Sequence, residues 1–323
     1  MRAAVLREVG SPPEPGELPD PQRGDGEALV EVHAAALNPI DVAIGSGRFY
    51  AGPPQVPYAP GREGVGVVRE SGGVAEGTRV RFERDAGYGA NGSVAELVVV
   101  DEAALVPLPD DADDALAASL GVAGLAAWLA LEKAAVDGAT VVVLGATGAV
   151  GQVAVQAAKL MGAQRVVAAA RNVDALERAG ALGADALVPI GDGDLTSALK
   201  EAAEGEIDAV IDPLWGEPAV AALKALRIGG RLVHLGTSAG LEATIPSAPL
   251  RGNNVSIIGH SNLTTPHDTK ARAYRELLDH AIAGRLRVDL DVFPLEHVAD
   301  AWRAQASSPH RKIVIAPLNS ARG

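Results

Sequence analysis

Residues 140–172, TVVVLGATGAVGQVAVQAAKLMGAQRVVAAARN, carry the strongest chemical signal in the chain. An apolar run enters a turn of Gly145, Ala146, Thr147 and Gly148, and a helix opens at about Ala149 and Val150 with Gly151 in its first turn. Small residues suit a backbone that turns tightly and approaches a pyrophosphate, whose oxygens then sit on free N–H groups at the positive end of the helix. Gly151 has no side chain and lets helix and strand pack closely. A glycine-rich string is weak by itself. Here it follows a strand, opens a helix and leads after a second strand to Arg171, which is the context a dinucleotide fingerprint requires. The alternatives are a tight turn that binds nothing and a nucleoside-triphosphate loop, which fits poorly because no Gly-Lys-Ser/Thr follows.

The end of the second strand selects the dinucleotide. An NAD enzyme places Asp or Glu there for the ribose hydroxyls, whereas this chain offers Ala170, Arg171 and Asn172. A guanidinium grips a 2′-phosphate through parallel charge-assisted hydrogen bonds, and a carboxylate would repel it. NADPH is therefore the expected cofactor, with a solvated surface arginine as the plain alternative.

Composition closes off other chemistry. There is no Cys in the 323 residues, so disulfides and thiolate sites are absent. The seven His (His33, His234, His260, His267, His280, His297 and His310) show no metal-ligand spacing. A formal charge of −13 opposes nucleic acid and anionic membrane as partners. The apolar run before Arg7 is too short for a signal-peptide core, and a cytoplasmic location is the expectation. Residues 115–131 are uncharged but Ala- and Gly-rich, and fall short of the ~20 residues that cross a bilayer. They read as buried helix with a break at 121–124.

These residues need a scaffold, and the length suits about two domains. The first hundred residues carry short β-branched runs at 28–32, 64–69, 78–82 and 93–99 between Pro and Gly, the texture of a β domain. From residue 140 apolar strands (140–145, 165–170, 186–190, 207–212, 230–236, 254–259) alternate with Ala-rich helices (150–161, 173–182, 195–203, 218–226). That alternation predicts an α/β fold with a doubly wound, parallel six-stranded sheet. After a polar loop come a helix at 270–282, a strand at 287–293, a helix at 295–306 and a strand at 312–316. This tail is short for a domain and is expected to complete the N-terminal one.

Several ordered segments extend the reading: AALNPIDVAIGSG (35–47), VPYAPGREGVGVV (56–68), GTRV (77–80), GSVAELVVV (92–100), GATGAVGQVAVQAAKLMGA (145–163), GGRLVHLG (229–236) and HRKIVI (310–315). Together they resemble the medium-chain dehydrogenase/reductase superfamily, and within it the zinc-free quinone oxidoreductase branch that includes zeta-crystallin. The resemblance implies a GroES-like catalytic domain from residues 1–118 and 260–323, a Rossmann-like dinucleotide-binding domain at 119–259, an active site in the cleft between them, and a homodimer formed through residues 254–259. Zinc-dependent relatives have Cys where this chain has Asn38, and His within the segment Gly61-Arg62-Glu63, so zinc catalysis is not expected.

Without a Lewis acid an already electrophilic hydride acceptor fits best, a quinone or an α,β-unsaturated carbonyl. The resemblance puts Asn38, Asp41 and Tyr50 at the reaction site. Tyr50 lies in the Gly-rich loop GSGRFYAGPP, and its phenol suits a substrate oxygen or a proton relay; packing on Phe49 is the alternative. Arg62 is a candidate donor to the substrate oxygen, or pairs with Glu63 or solvent. Asp41 reads more as a brace for the following helical turn than as a base. Family cofactor contacts fall at Leu235, Gly236 and Thr237 and at His260, Ser261 and Asn262, after the fifth and sixth strands. Relatives often carry Thr where this chain has Ala126. Two further functions stay open, a non-enzymatic NADPH-binding protein (sensor or structural) and an enoyl-thioester reductase. A short-chain dehydrogenase fails, since no Tyr has Lys four residues on.

Overall fold

Strands such as Val141–Val143 and Val166–Ala170 are continuous apolar runs, and their side chains are buried throughout. This is the signature of a parallel sheet covered on both faces. A computed structural model of the protein describes residues 1–318; the last five residues of the expected 260–323 segment lie outside the described residues. The chain forms two compact units, one from Met1–Val122 with the segment from Val288 onward, the other Ala123–Arg287.

In the second unit six parallel strands run, in chain order, Thr140–Leu144, Arg165–Ala170, Ala186–Pro189, Ile207–Asp212, Leu226–His234 and Ser256–Gly259. Their spatial order is third, second, first, fourth, fifth, sixth. Helices Ala149–Leu160, Val173–Ala181, Leu195–Ala203 and Gly216–Ala225 connect the first five. The doubly wound sheet is thus as the sequence predicts. The fifth strand starts four residues earlier than expected, because a register shift lets Leu226 pair Ile207 before Arg231 pairs Ala209.

The second crossing between the units falls after residue 287, not after 259. The reason is the helix His267–Ile282. It buries Tyr274, Leu277 and Leu278, and Arg272 makes a two-pronged bond to Glu132 of the helix Val122–Ala134 at 2.8 Å. Gln156 then exchanges two hydrogen bonds with the Arg287 backbone at 2.8 Å. A polar-looking helix is therefore anchored to the dinucleotide-sheet unit.

The first unit is built around a seven-stranded sheet. Strand Glu27–Ala36 alternates buried and half-buried residues, as a half-covered strand should. It pairs antiparallel with Glu63–Glu70, with Leu97–Asp101 and with the C-terminal strand Lys312–Ala316 (Ala36 opposite Val314). Residues from the first hundred and from the last thirty of the described chain thereby share one sheet over a core of Val30, Val32, Phe82, Val98, Trp302 and Ile313. The apolar stretch 115–131, expected as helix with a break at 121–124, is two helices, Asp114–Ser119 and Val122–Ala134, parted at Leu120 and Gly121, with Gly124 inside the second helix. A Cβ at Gly121 would lie 1.9 Å from Glu63 Oε2, so only glycine leaves room for that carboxylate. Among the described residues no helix is long and apolar enough to cross a membrane.

Candidate active site

The glycine turn has the geometry the sequence anticipates. Gly145 adopts φ +60°, a region where side chains are strained, and the helix Ala149–Leu160 starts at Gly148 with no side-chain cap. The first amides of that helix, on Ala149, Val150 and Gly151, lie ahead of its first helical hydrogen bond, from Gln152 N to Gly148 O. A Cβ at Gly151 would lie 2.3 Å from Gly145 O and 2.5 Å from Ala146 Cα. Ala146 and Thr147 are buried, and Gln152 Nε2 donates to Thr147 O at 2.9 Å, which stiffens the turn. Backbone donors at a positive helix end that no side chain caps suit a phosphate group. The residues present fit a dinucleotide here.

At the end of the second strand Arg171 is exposed and makes no hydrogen bond or ion pair with a described residue. Asn172 caps the helix Val173–Ala181, its Oδ1 accepting from Ala175 N at 2.9 Å, so that oxygen is already committed. The fourth, fifth and sixth strands bring a row of residues to the same carboxyl edge. Leu235 N donates to Asp212 O, and His260 N to His234 O, both at 2.9 Å. Gly236 packs on Pro213, where a Cβ would lie 2.8 Å from the carbonyl oxygen. Thr237 and Ser261 are exposed, and Ser261 Oγ accepts from Leu263 N at 3.2 Å. His260 is buried, bonds Asn262 Oδ1 through Nε2 at 3.0 Å and leaves Nδ1 buried without a partner. Burial holds its pKa below the usual histidine value.

Three residues of this edge were not singled out from the sequence. Asp212 is fully buried and accepts from Leu214 N and Trp215 N, each at 2.9 Å. Its other oxygen is 3.3 Å from His234 Nδ1. Trp215 adopts φ +60° and ψ −167°, a region nearly reserved for glycine that costs on the order of 1–3 kcal/mol.

The first unit holds a buried polar network. Lys312 Nζ donates to Asn38 Oδ1 at 2.5 Å and to Glu63 Oε1 at 3.0 Å, and all three residues are about 2% exposed or less. Asn38 Nδ2 donates to the same Glu63 oxygen at 2.8 Å, and Glu63 Oε2 accepts from Val122 N at 2.5 Å. Asn38 is thereby engaged at both ends of its amide. Asp41 accepts from Asn38 N at 2.8 Å and braces the helix Pro39–Gly45, the bracing role the sequence favoured. Burial raises its pKa to about 6, against the pull of that hydrogen bond and of Arg62. Arg62 pairs with Asp85, not Glu63. Tyr50 is 83% exposed, and its ring rests on Phe49 with centroids 4.2 Å apart. Tyr58, not anticipated, is buried with its hydroxyl unpartnered, and burial raises its pKa.

Comparison with known proteins matches both units. Residues 24–110 fit the alcohol dehydrogenase GroES-like domain and residues 149–279 the zinc-binding dehydrogenase family. The chain is 31% identical to quinone oxidoreductase-like protein 2 of Rattus norvegicus over 261 residues, covering 80% of this chain and 74% of that one. The chain belongs to the medium-chain dehydrogenase/reductase superfamily. It is an oxidoreductase of that superfamily, whose members bind nicotinamide cofactors. Two solved superfamily structures extend the likeness over 98% of the chain, each at 32% identity. One is an NAD-dependent alcohol dehydrogenase (TM-score 0.87, 99% of that chain covered). The other is the quinone oxidoreductase of Thermus thermophilus, described also in complex with NADPH (TM-score 0.83, 100% covered).

The buried network of this superfamily member can be tested by its energetics. Lys312→Met leaves Glu63 buried and unpaired, and we expect a loss of about 3–5 kcal/mol in urea unfolding, largely recovered by adding Glu63→Gln. A loss below about 1 kcal/mol, or no recovery in the double variant, would contradict the ion pair. For Asp41, the folded pKa lies above the ordinary 3.8, so the unfolded chain releases its proton first as pH rises. Stability therefore falls through pH 4–6, by about 3 kcal/mol in all. Asp41→Asn removes this fall, and its stabilising effect relative to wild type should be larger at pH 7 than at pH 4; an equal effect at both would refute the shift.

Proposed function

We propose that this protein is an NADPH-dependent, zinc-independent oxidoreductase that transfers a hydride to a quinone or an α,β-unsaturated carbonyl. The observation that carries the cofactor choice is Arg171, exposed and unpaired at the end of the second strand where no carboxylate stands. The turn from Gly145 to Gly151 binds the pyrophosphate through the amides of Ala149, Val150 and Gly151, and Arg171 takes the 2′-phosphate. When bound, the reduced nicotinamide supplies the hydride. Gly236, Thr237, His260, Ser261 and Asn262, after the fifth and sixth strands, flank it.

The acceptor class is supported by the donor set in the first unit. At the positions that zinc-dependent relatives use for ligands stand Asn38, engaged with the Lys312 ammonium, and Arg62. A guanidinium cannot ligate a divalent cation, the Asn38 amide is already committed, and no thiolate exists to hold a metal. An acceptor with a conjugated carbonyl needs donors where negative charge develops, a role for Arg62 and the free Tyr50 hydroxyl. Asn38, with both ends of its amide bonded to Lys312 and Glu63, offers no free donor and holds the network in place. The quinone oxidoreductase names among the similar proteins favour the same class. We also infer a homodimer formed through the edge strand Ser256–Gly259, which among the described residues pairs with a strand on one side only; a monomer mass by light scattering would exclude it.

NADPH oxidation followed against quinones, 2-alkenals and cyclic enones tests the reaction, with NADH in parallel. Turnover of at least one class is expected; tight NADPH binding with no turnover would favour a binding protein instead. Arg171→Ala should raise the NADPH KM about tenfold and leave NADH nearly unchanged, one charge-assisted contact of ~1.5–3 kcal/mol being lost. Equal losses with both cofactors would remove Arg171 from the site.

A further inference from the structure

The carboxyl edge of the dinucleotide sheet contains a locked aromatic pair to which the proposed function gives no role so far. Asp212 ends the fourth strand, and its two oxygens do separate work. Oδ1 gathers the N–H groups of Leu214 and Trp215, and Oδ2 faces His234 Nδ1. A carboxylate partner at Nδ1 fixes the tautomer and leaves Nε2 as the lone-pair atom of the neutral ring. No described residue bonds Nε2, and the His234 side chain is 26% exposed. The Trp215 ring lies on this imidazole with centroids 4.3 Å apart at 40°.

Position gives the pair its meaning. Leu214 and Pro213 pack against Gly145, where a Cβ would lie 2.9 Å from Leu214 Cδ2 and 3.3 Å from Pro213 Cγ. The pair therefore sits beside the glycine turn, and the strand order reverses between the first and fourth strands, where ligands of such sheets bind. A doubly wound sheet is two mononucleotide halves. Arg171 follows the second strand and serves the half that takes the adenosine. Asp212 and His234 end the fourth and fifth strands, His260 follows the sixth, and all three belong to the other half. His260, with its buried unpartnered Nδ1, continues the row. A tryptophan kept in a glycine-type backbone conformation is the kind of strain that collects at ligand sites.

We propose that Trp215 and His234, held by Asp212, recognise the nicotinamide-side nucleoside, with His234 Nε2 accepting a hydrogen bond from a ribose hydroxyl and the indole covering the sugar. This deepens the dinucleotide reading and rests on it. The surface discriminates a whole dinucleotide from its adenosine half.

Isothermal titration calorimetry with NADPH and with adenosine 2′,5′-bisphosphate separates the two claims. NADH and AMP replace them if the wild type prefers NADH. His234→Phe keeps the ring stack and removes Nε2 together with the Nδ1 contact to Asp212, whereas Trp215→Gly removes the indole, which packs on the core edge, and accepts φ +60° freely, so relief of strain offsets part of the lost packing. Each variant should weaken dinucleotide binding about tenfold, as for one lost hydrogen bond or stacking surface, with the adenosine fragment unchanged within about twofold. Dinucleotide losses below about twofold in both variants, or equal losses with both probes, would overturn the proposal. If one variant fails to fold, the other decides. Wild type that binds no dinucleotide would overturn the underlying reading and this proposal with it.

Discussion

A buried ammonium shared between an amide and a carboxylate is the constraint on which the first unit depends. Lys312 comes from the last strand, Glu63 from the strand Glu63–Glu70 and Asn38 from the start of a helix, so one contact ties three distant parts of the chain. Removing these charges from water is expensive, and the hydrogen bonds among the three residues offset that cost. Val122 N completes the second oxygen of Glu63, and Gly121 gives that oxygen room. One member, Asn38, stands where zinc-dependent relatives have a cysteine, and its amide is committed to Lys312 and Glu63.

The second unit solves a comparable problem with backbone groups. The helix after Gly148 is left without a side-chain cap, so its amides remain available, and Gly151 lets the helix close on the strand. One buried carboxylate, Asp212, organises the loop that packs against this turn. In both units a single buried acid sets the shape of the region around it.

The glycine turn and the parallel sheet were legible because their causes are local: small residues at fixed offsets and unbroken apolar runs. Asp41 as a helix brace was legible for the same reason. What the sequence did not reveal are pairings between separated residues. Lys312 at the start of a strand reads as a solvated charge until the strand is placed beside residue 36. Asp212, Trp215 and His234 lie on two neighbouring strands and the loop between them, and nothing in their spacing shows that the rings stack. Nor does the polar helix His267–Ile282 announce that Arg272 reaches Glu132, which moves the boundary of the second unit past it. Tyr50 shows the remaining gap, for an exposed phenol resting on Phe49 satisfies both roles assigned to it.

The central claim is that hydride passes from a reduced nicotinamide directly to an electrophilic carbon. The most direct measurement uses NADPH deuterated at both C4 positions with a cyclic enone, and mass spectrometry of the product. The account predicts a saturated ketone carrying deuterium on the carbon β to the carbonyl. Unlabelled ketone, or label found only in solvent, would contradict it.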